Sequence, residues 1–142
     1  MTFWVALFNK ITWEEFRKAG SNVSGFNEGK LKYVNIVKPE DVFLCYMTGG
    51  LFRWVGALEV IGPSNSKKPI WKEAEYPVRF EVKPLVELNA ETGLPMKDLE
   101  GKVDFYRGQE DAGKFRSIIR TSLREISNKD GLLILKFLNE RL

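Results

Sequence analysis

Apolar positions run almost without a break from Thr2 to Asn9 (TFWVALFN). That pattern predicts a central strand covered on both faces. Thr12-Trp13-Glu14-Glu15 then predicts a helix start. Thr12 serves as N-cap, Glu15 completes a capping box, and both glutamates occupy a first turn where the helix dipole favours negative charge. Trp13 and Phe16 share one face, and Gly20 ends the helix. Ser21 to Lys32 (SNVSGFNEGKLK) is polar and punctuated by glycine, which predicts a long loop carrying one exposed aromatic, Phe26.

Val37-Lys38-Pro39-Glu40-Asp41 is turn chemistry ahead of a strand over Val42 to Met47. Thr48-Gly49-Gly50 predicts a tight hairpin returning into Leu51–Ile61, where Gly56 marks a bulge or the close approach of another backbone. Gly62 to Lys68 (GPSNSKK) is a loop, followed by Pro69-Ile70-Trp71 and Tyr76-Pro77. Val78 to Leu88 sets Val, Phe and Val against Arg79, Glu81 and Lys83, a strand with one wet face. Met96 to Leu99 and Gln109 to Arg116 predict short helical turns. Ser127 and Asp130 cap a last helix whose Leu132, Leu135, Leu138 and Leu142 follow the helical period. Strands and helices interleave irregularly around an antiparallel hairpin. The fold class is α+β: a small mixed sheet curled toward a barrel, with helices packed outside. With no repeat, low-complexity tract or linker, residues 1–142 are expected to form one domain.

Composition narrows the function. The 142 residues are 44% hydrophobic and include no histidine and a single cysteine. That excludes His-based nucleophile pairs and acid–base catalysis, His-containing metal triads, four-cysteine zinc sites and internal disulfides. No cofactor or metal is expected. The net charge of +3, from 22 basic and 19 acidic residues, mildly favours a polyanionic partner. The N-terminal stretch lacks signal-peptide features, and no apolar run reaches the ~20 residues of a membrane span. The expected setting is the cytoplasm, away from the membrane.

Carboxylates offer the one remaining enzymatic route, yet Glu14, Glu15, Asp41, Glu73 and Glu75 each fit an ordinary helix, turn or loop position. Cys45 sits in an apolar strand without a basic neighbour, as a core residue does. Gly49-Gly50 is not followed by a helix and is no phosphate cradle. The basic residues carry more. Lys30, Lys32, Arg53, Lys67 and Lys68 lie in or beside loops, and Lys114 to Arg124 (KFRSIIRTSLR) adds Arg116, Arg120 and Arg124 with no acidic residue. Such side chains grip phosphates. Phe26 and Trp71 are large rings in polar loops. Each either folds over the core or lines a recess for a flat ligand such as a nucleobase.

Taken in order, several motifs resemble the EVE domain family of the PUA-like superfamily, relatives of the YTH readers of methylated adenine. They are the opening strand ending at Asn9, the Trp-Glu-Glu helix, the Gly-Phe-Asn loop and Val-Lys-Pro-Glu-Asp before Tyr46. Trp-Val-Gly-Ala-Leu-Glu-Val, Trp71 ahead of Tyr-Pro-Val-Arg-Phe-Glu-Val, and Arg120-Thr-Ser-Leu-Arg-Glu-Ile complete the series. The resemblance implies a curled, barrel-like sheet and a non-catalytic module holding one flipped, modified base in an aromatic pocket. Phe26 and Trp71 would be the walls, Asn9 and Asn27 would read the base edge, and Ser24 and Tyr76 would stand beside them. It further implies DNA in preference to RNA, and a recognition role for a separate motor and nuclease in restriction systems such as the McrB type. The helix closing at Asn139-Glu140-Arg141-Leu142 suits an excised recognition domain. Gly-Phe-Asn stands where many family members carry Gly-Val-Arg or a Trp. Two alternatives have distinct signatures. An RNA-binding PUA-like module would bind structured RNA whatever its modification, and a nucleotide-handling enzyme would depend on Glu14 or Asp41.

Overall fold

The computed structural model describes residues 1–106 and 122–142. The turn expected at Gln109–Arg116 lies outside them, as do Arg116 and Arg120. β1 (Phe3–Phe8) leads into α1 (Lys10–Lys18) and a short β2 (Val23–Phe26). A 3-10 segment (Glu28–Val34) precedes β3 (Val42–Met47), β4 (Arg53–Pro63) and β5 (Val78–Glu87). β6 (Leu94–Pro95), β7 (Arg124–Ile126) and α2 (Asn128–Asn139) follow. The strand order is β2-β5-β4-β3-β1-β7, with β6 also on β4. β1 runs parallel to β3, and the other pairs are antiparallel. This is the expected mixed sheet, curled into a half-barrel.

The alternation of side chains gives the sheet two apolar faces. Phe3, Val5, Val42, Leu44 and Trp54 pack under Ile134 and Leu138 of α2. Trp4, Ala6, Phe8, Phe43, Cys45 and Val55 pack under Trp13 and Phe16 of α1. β1 and β3 are buried on both sides, which is why they read as unbroken apolar runs. Both readings of Gly56 hold. The β3–β4 register shifts beside it, and a Cβ there would stand 2.8 Å from the Trp13 ring and 2.8 Å from the Val86 carbonyl.

Several expectations change. Asn9, not Thr12, caps α1: the Thr12 amide donates to Asn9 Oδ1 at 2.8 Å, and the Asn9 amide donates to Thr12 Oγ1 at 2.9 Å. Glu14 and Glu15 therefore lie past the first turn. The Gly49-Gly50 hairpin is a five-residue loop between the paired Met47 and Arg53, with Gly49, Gly50 and Phe52 at positive φ. Phe26 is not an exposed loop ring; it ends β2, buried against Phe43 and Phe80. Arg79 leaves the wet face of β5 and is buried at 5% exposure.

In α2 the inward stripe is Gly131, Ile134 and Leu138, whereas Leu132 and Leu142 are exposed. Gly131 lies so close to β1 that a Cβ would fall 2.2 Å from the Phe3 ring. Phe3 is fully buried and has no room to retreat. Gly131→Ala is therefore expected to cost about 2 kcal/mol in urea unfolding, the range of overpacked cores.

Candidate nucleic-acid interface

The end of β1, the start of α1 and the end of β2 meet the loop that precedes β5. At this junction a recess of about 560 Å³ opens. Its size lies within the roughly 300–1,000 Å³ of small-molecule sites. Five of the six sequence-selected pocket residues line it: Asn9, Phe26, Asn27, Trp71 and Tyr76. Lys30 lines it as well. Ser24 does not; it is buried two residues before Phe26, with its hydroxyl unpaired among the described residues.

Trp71 is held from three sides. Its Nε1 donates to the Thr12 carbonyl at 3.2 Å, and the Tyr76 ring stands edge-on with centroids 5.5 Å apart. The Arg79 guanidinium lies 5.3 Å from the Trp71 ring centroid. A Cβ on Gly25 would meet the Trp71 ring at 2.6 Å, so the glycine is what lets the indole lie against β2. The two rings that face each other are thus Trp71 and Tyr76, at right angles. Phe26 adds apolar wall from the core side, its ring contacts running to Phe43 and Phe80.

Arg79 explains its own burial. It donates to the carbonyls of Lys68 (2.7 Å), Glu75 (2.8 Å) and Tyr76 (3.1 Å), stapling the loop before β5 onto the strand. Burial pulls its pKa down. Tyr76 is held at φ 46°, a left-handed conformation that is strained for a bulky residue.

Glu73 is the lining residue that the sequence pattern does not reveal. Its Oε1 accepts from Asn9 Nδ2 at 3.0 Å, and its Oε2 accepts from the Tyr76 hydroxyl. The Tyr76 bond, then the Asn9 bond, hold its carboxyl below the ordinary range. Burial first, and then the bond to Glu73, push the Tyr76 phenol from 10.0 up to about 12. The two shifts agree, since each reflects a neutral phenol donating to a carboxylate. Because the folded pKa of Tyr76 is raised, its contribution to stability is complete below pH 10 and is lost as pH rises toward 12. An absorbance titration of phenolate should show a late step near pH 12 that Tyr76→Phe removes. For Glu73 the sign is opposite: its contribution is present above the ordinary 4.5 and lost as pH falls.

The cations distribute unevenly. Lys30 is half-buried with Nζ 5.7 Å from the Tyr33 ring, and Lys32 Nζ is 5.3 Å from the same ring. Arg53 is spent on the Ala90 and Glu91 carbonyls at 3.2 and 2.7 Å. Lys67 lines a second recess of about 770 Å³, which shares Trp71 but is walled by Ser64, Ser66, Pro69 and Pro77. Lys68 and Arg124 are exposed. Of the two candidates of the enzyme reading, Glu14 is exposed, and Asp41 is buried and accepts from three donors. Burial raises the pKa of Cys45 well above that of a free thiol. Among the described residues no cluster of three or more His, Cys, Asp or Glu is placed to hold a metal, and no helix is long and apolar enough to cross a membrane.

The curled sheet with this element order is the fold of solved YTH domains. No family model and no curated protein matches the sequence, so the likeness is structural. The Mmi1 YTH domain superposes with a TM-score of 0.67 at 11% identity, over 98% of this chain and 75% of that one. The YTH domain of Zygosaccharomyces rouxii MRB1, solved in complex with N6-methyladenosine RNA, gives 0.67 at 16% identity over 96% and 86%. Rpa0253 from Rhodopseudomonas palustris gives 0.63 at 14% identity over 99% and 94%.

Proposed function

We propose that this chain is a non-catalytic reader of a modified nucleobase, which it holds in the Trp71–Tyr76 recess. The observation that carries the reading is the convergence, in one 560 Å³ recess, of two perpendicular rings, two asparagines and a lysine. A flat base stacks on the Trp71 face while Tyr76 closes the edge, an arrangement worth about 1–3 kcal/mol per base. Phe26 gives a methyl group apolar contact. Asn9 and Asn27 read the hydrogen-bonding edge, and Lys30 reaches the phosphate beside the everted nucleotide. Lys32, Lys67, Lys68 and Arg124 extend the grip along the backbone, and Ser24 drops out of the pocket set.

RNA is the favoured carrier. The Mmi1 YTH domain has been solved in complex with RNA, and the MRB1 YTH domain with an RNA that carries N6-methyladenosine. This weighs against the DNA and restriction setting implied by the resemblance to EVE domains. The test is a fluorescence-anisotropy panel at fixed salt. It compares RNA and single-stranded DNA oligonucleotides that carry methylated adenine, methylated cytosine or neither at one position. Preference for a methylated RNA of about tenfold is expected from stacking and methyl contact. Preference on DNA alone would move the carrier back to DNA. Equal affinity across the panel would remove base reading and leave binding by shape and backbone.

A further inference from the structure

We propose that Glu73 selects the base: its carboxylate demands an N–H donor, so the ligand is a base whose exocyclic amino group keeps at least one hydrogen. This rests on the base-reading function above and names the class of base within it. Glu73 lines the recess together with Trp71 and Tyr76. Asn9 holds one of its oxygens and the Tyr76 hydroxyl holds the other, so the carboxylate cannot swing away. Those bonds occupy two of the about four acceptor positions on a carboxylate, which has no hydrogen to give.

A base that turns a carbonyl toward Glu73 would set two acceptors against each other. A base that turns an amino hydrogen toward it would gain a charge-assisted bond. Asn9 adds the complementary group. Its Oδ1 is spent on the Thr12 amide and one Nδ2 hydrogen on Glu73, which leaves a second Nδ2 hydrogen for the ring nitrogen beside an amino group. Acceptor and donor side by side fit adenine and cytosine. A single methyl on the amino nitrogen is compatible, because one hydrogen remains; a second methyl removes it.

The surrounding charges decide how this must be measured. Lys30 is the other charged residue in the lining, and Glu15 lies nearby, its Oε2 accepting from the Lys72 amide at 3.2 Å. Removing the Glu73 charge therefore raises affinity for any polyanion, so the informative quantity is a ratio between ligands.

The experiment uses the full chain and anisotropy at fixed salt. Oligonucleotides carry N6-methyladenine, N6,N6-dimethyladenine or hypoxanthine at one position, with N4-methylcytosine and N4,N4-dimethylcytosine as a parallel pair. Wild type is expected to favour the monomethyl over the dimethyl base by at least about tenfold in one of the pairs. Glu73→Ala should bring that ratio to within about twofold, and Glu73→Gln, whose amide can donate, should gain relative affinity for hypoxanthine. Glu73 is exposed, and melting curves establish that both variants fold. A monomethyl preference that survives Glu73→Ala would mean steric exclusion and overturn the role of Glu73 while leaving base reading intact. No preference between mono- and dimethyl bases in wild type would overturn it as well. Equal binding of modified and unmodified bases by wild type would instead remove the base-reading function.

Discussion

Asp41→Ala should cost about 4 kcal/mol of folding stability, a large share of the 5–15 kcal/mol a domain of this kind possesses. The carboxylate is 4% exposed and accepts from the Thr2 amide at 2.9 Å, Trp4 Nε1 at 3.0 Å and the Lys38 amide at 2.9 Å. Those donors belong to the chain start, β1 and the turn before β3. One side chain thus fixes the entry of the parallel β1–β3 pair, whose next rung is the Val42 amide donating to the Thr2 carbonyl at 2.9 Å. Alanine would leave the buried Trp4 indole and two part-buried amides without their acceptor, each costing about 1–3 kcal/mol unless water reaches it. Asp41→Asn keeps one acceptor oxygen and should fall midway. Urea unfolding with unchanged m-value measures both; a loss below about 1 kcal/mol for alanine would refute the tie. The same geometry explains why Asp41 serves structure: three of the about four acceptor positions of its carboxylate are already taken by two backbone amides and an indole.

Where burial alone decides structure, the chain is legible. β3 has the bounds read from the sequence, Val42–Met47, because all six positions are apolar and all six are buried. β1 is nearly as direct. The misreadings come from partners that the residue pattern does not show, some distant in sequence and some local. Ser21 to Lys32 carries the residue types of a loop, yet Val23–Phe26 becomes a strand because β5 supplies its hydrogen bonds, and Phe26 follows into the core. Arg79 alternates as a solvent-facing residue should, until the loop before β5 folds over it and offers three carbonyls. The helix start shows a local competition. Asn9 and Thr12 form the reciprocal cap three residues apart, the same spacing as Thr12 and Glu15, and the pattern alone does not choose between them.

The lining of the recess was legible in part: Asn9, Phe26, Asn27, Lys30, Trp71 and Tyr76 stand in it, whereas Glu73 was not singled out. Rings stranded in polar loops, Phe26 and Trp71, singled themselves out, as did Asn9 at a strand end. Glu73 did not, because a loop carboxylate next to Lys72 has the residue pattern of a solvated surface. Its partners come from positions 9 and 76, so its contacts exist only once the loop packs against the start of α1. The spacing Trp71-x-Glu73-x-x-Tyr76 ahead of Pro77 was the available signal: a tyrosine three residues after a carboxylate can hydrogen-bond it within a turn.

Trp71→Ala separates stability from recognition. At 7% exposure the indole is largely core, and its loss removes the bond to the Thr12 carbonyl, the contact with Gly25 and the Arg79 stack. A cost of about 3 kcal/mol is expected, the low end for a buried tryptophan because part of the ring already lines the recess. Binding should change differently. Loss of the stacking face is expected to remove about 1–3 kcal/mol from the everted base, roughly 5- to 150-fold in affinity for the modified oligonucleotide. The lysines proposed to hold phosphates are untouched, so the salt-dependent background should persist and the modified-to-unmodified ratio should collapse toward unity. Trp71→Phe keeps a ring against Gly25 but loses the Nε1 bond; it should retain most of the preference at a stability cost of about 1 kcal/mol. Melting temperature and anisotropy on the same preparations give both numbers. A Trp71→Ala protein that is folded and still prefers the methylated oligonucleotide would place the base somewhere other than against this ring. The perpendicular Trp71–Tyr76 corner would then be only the way this fold fastens its loop to β2.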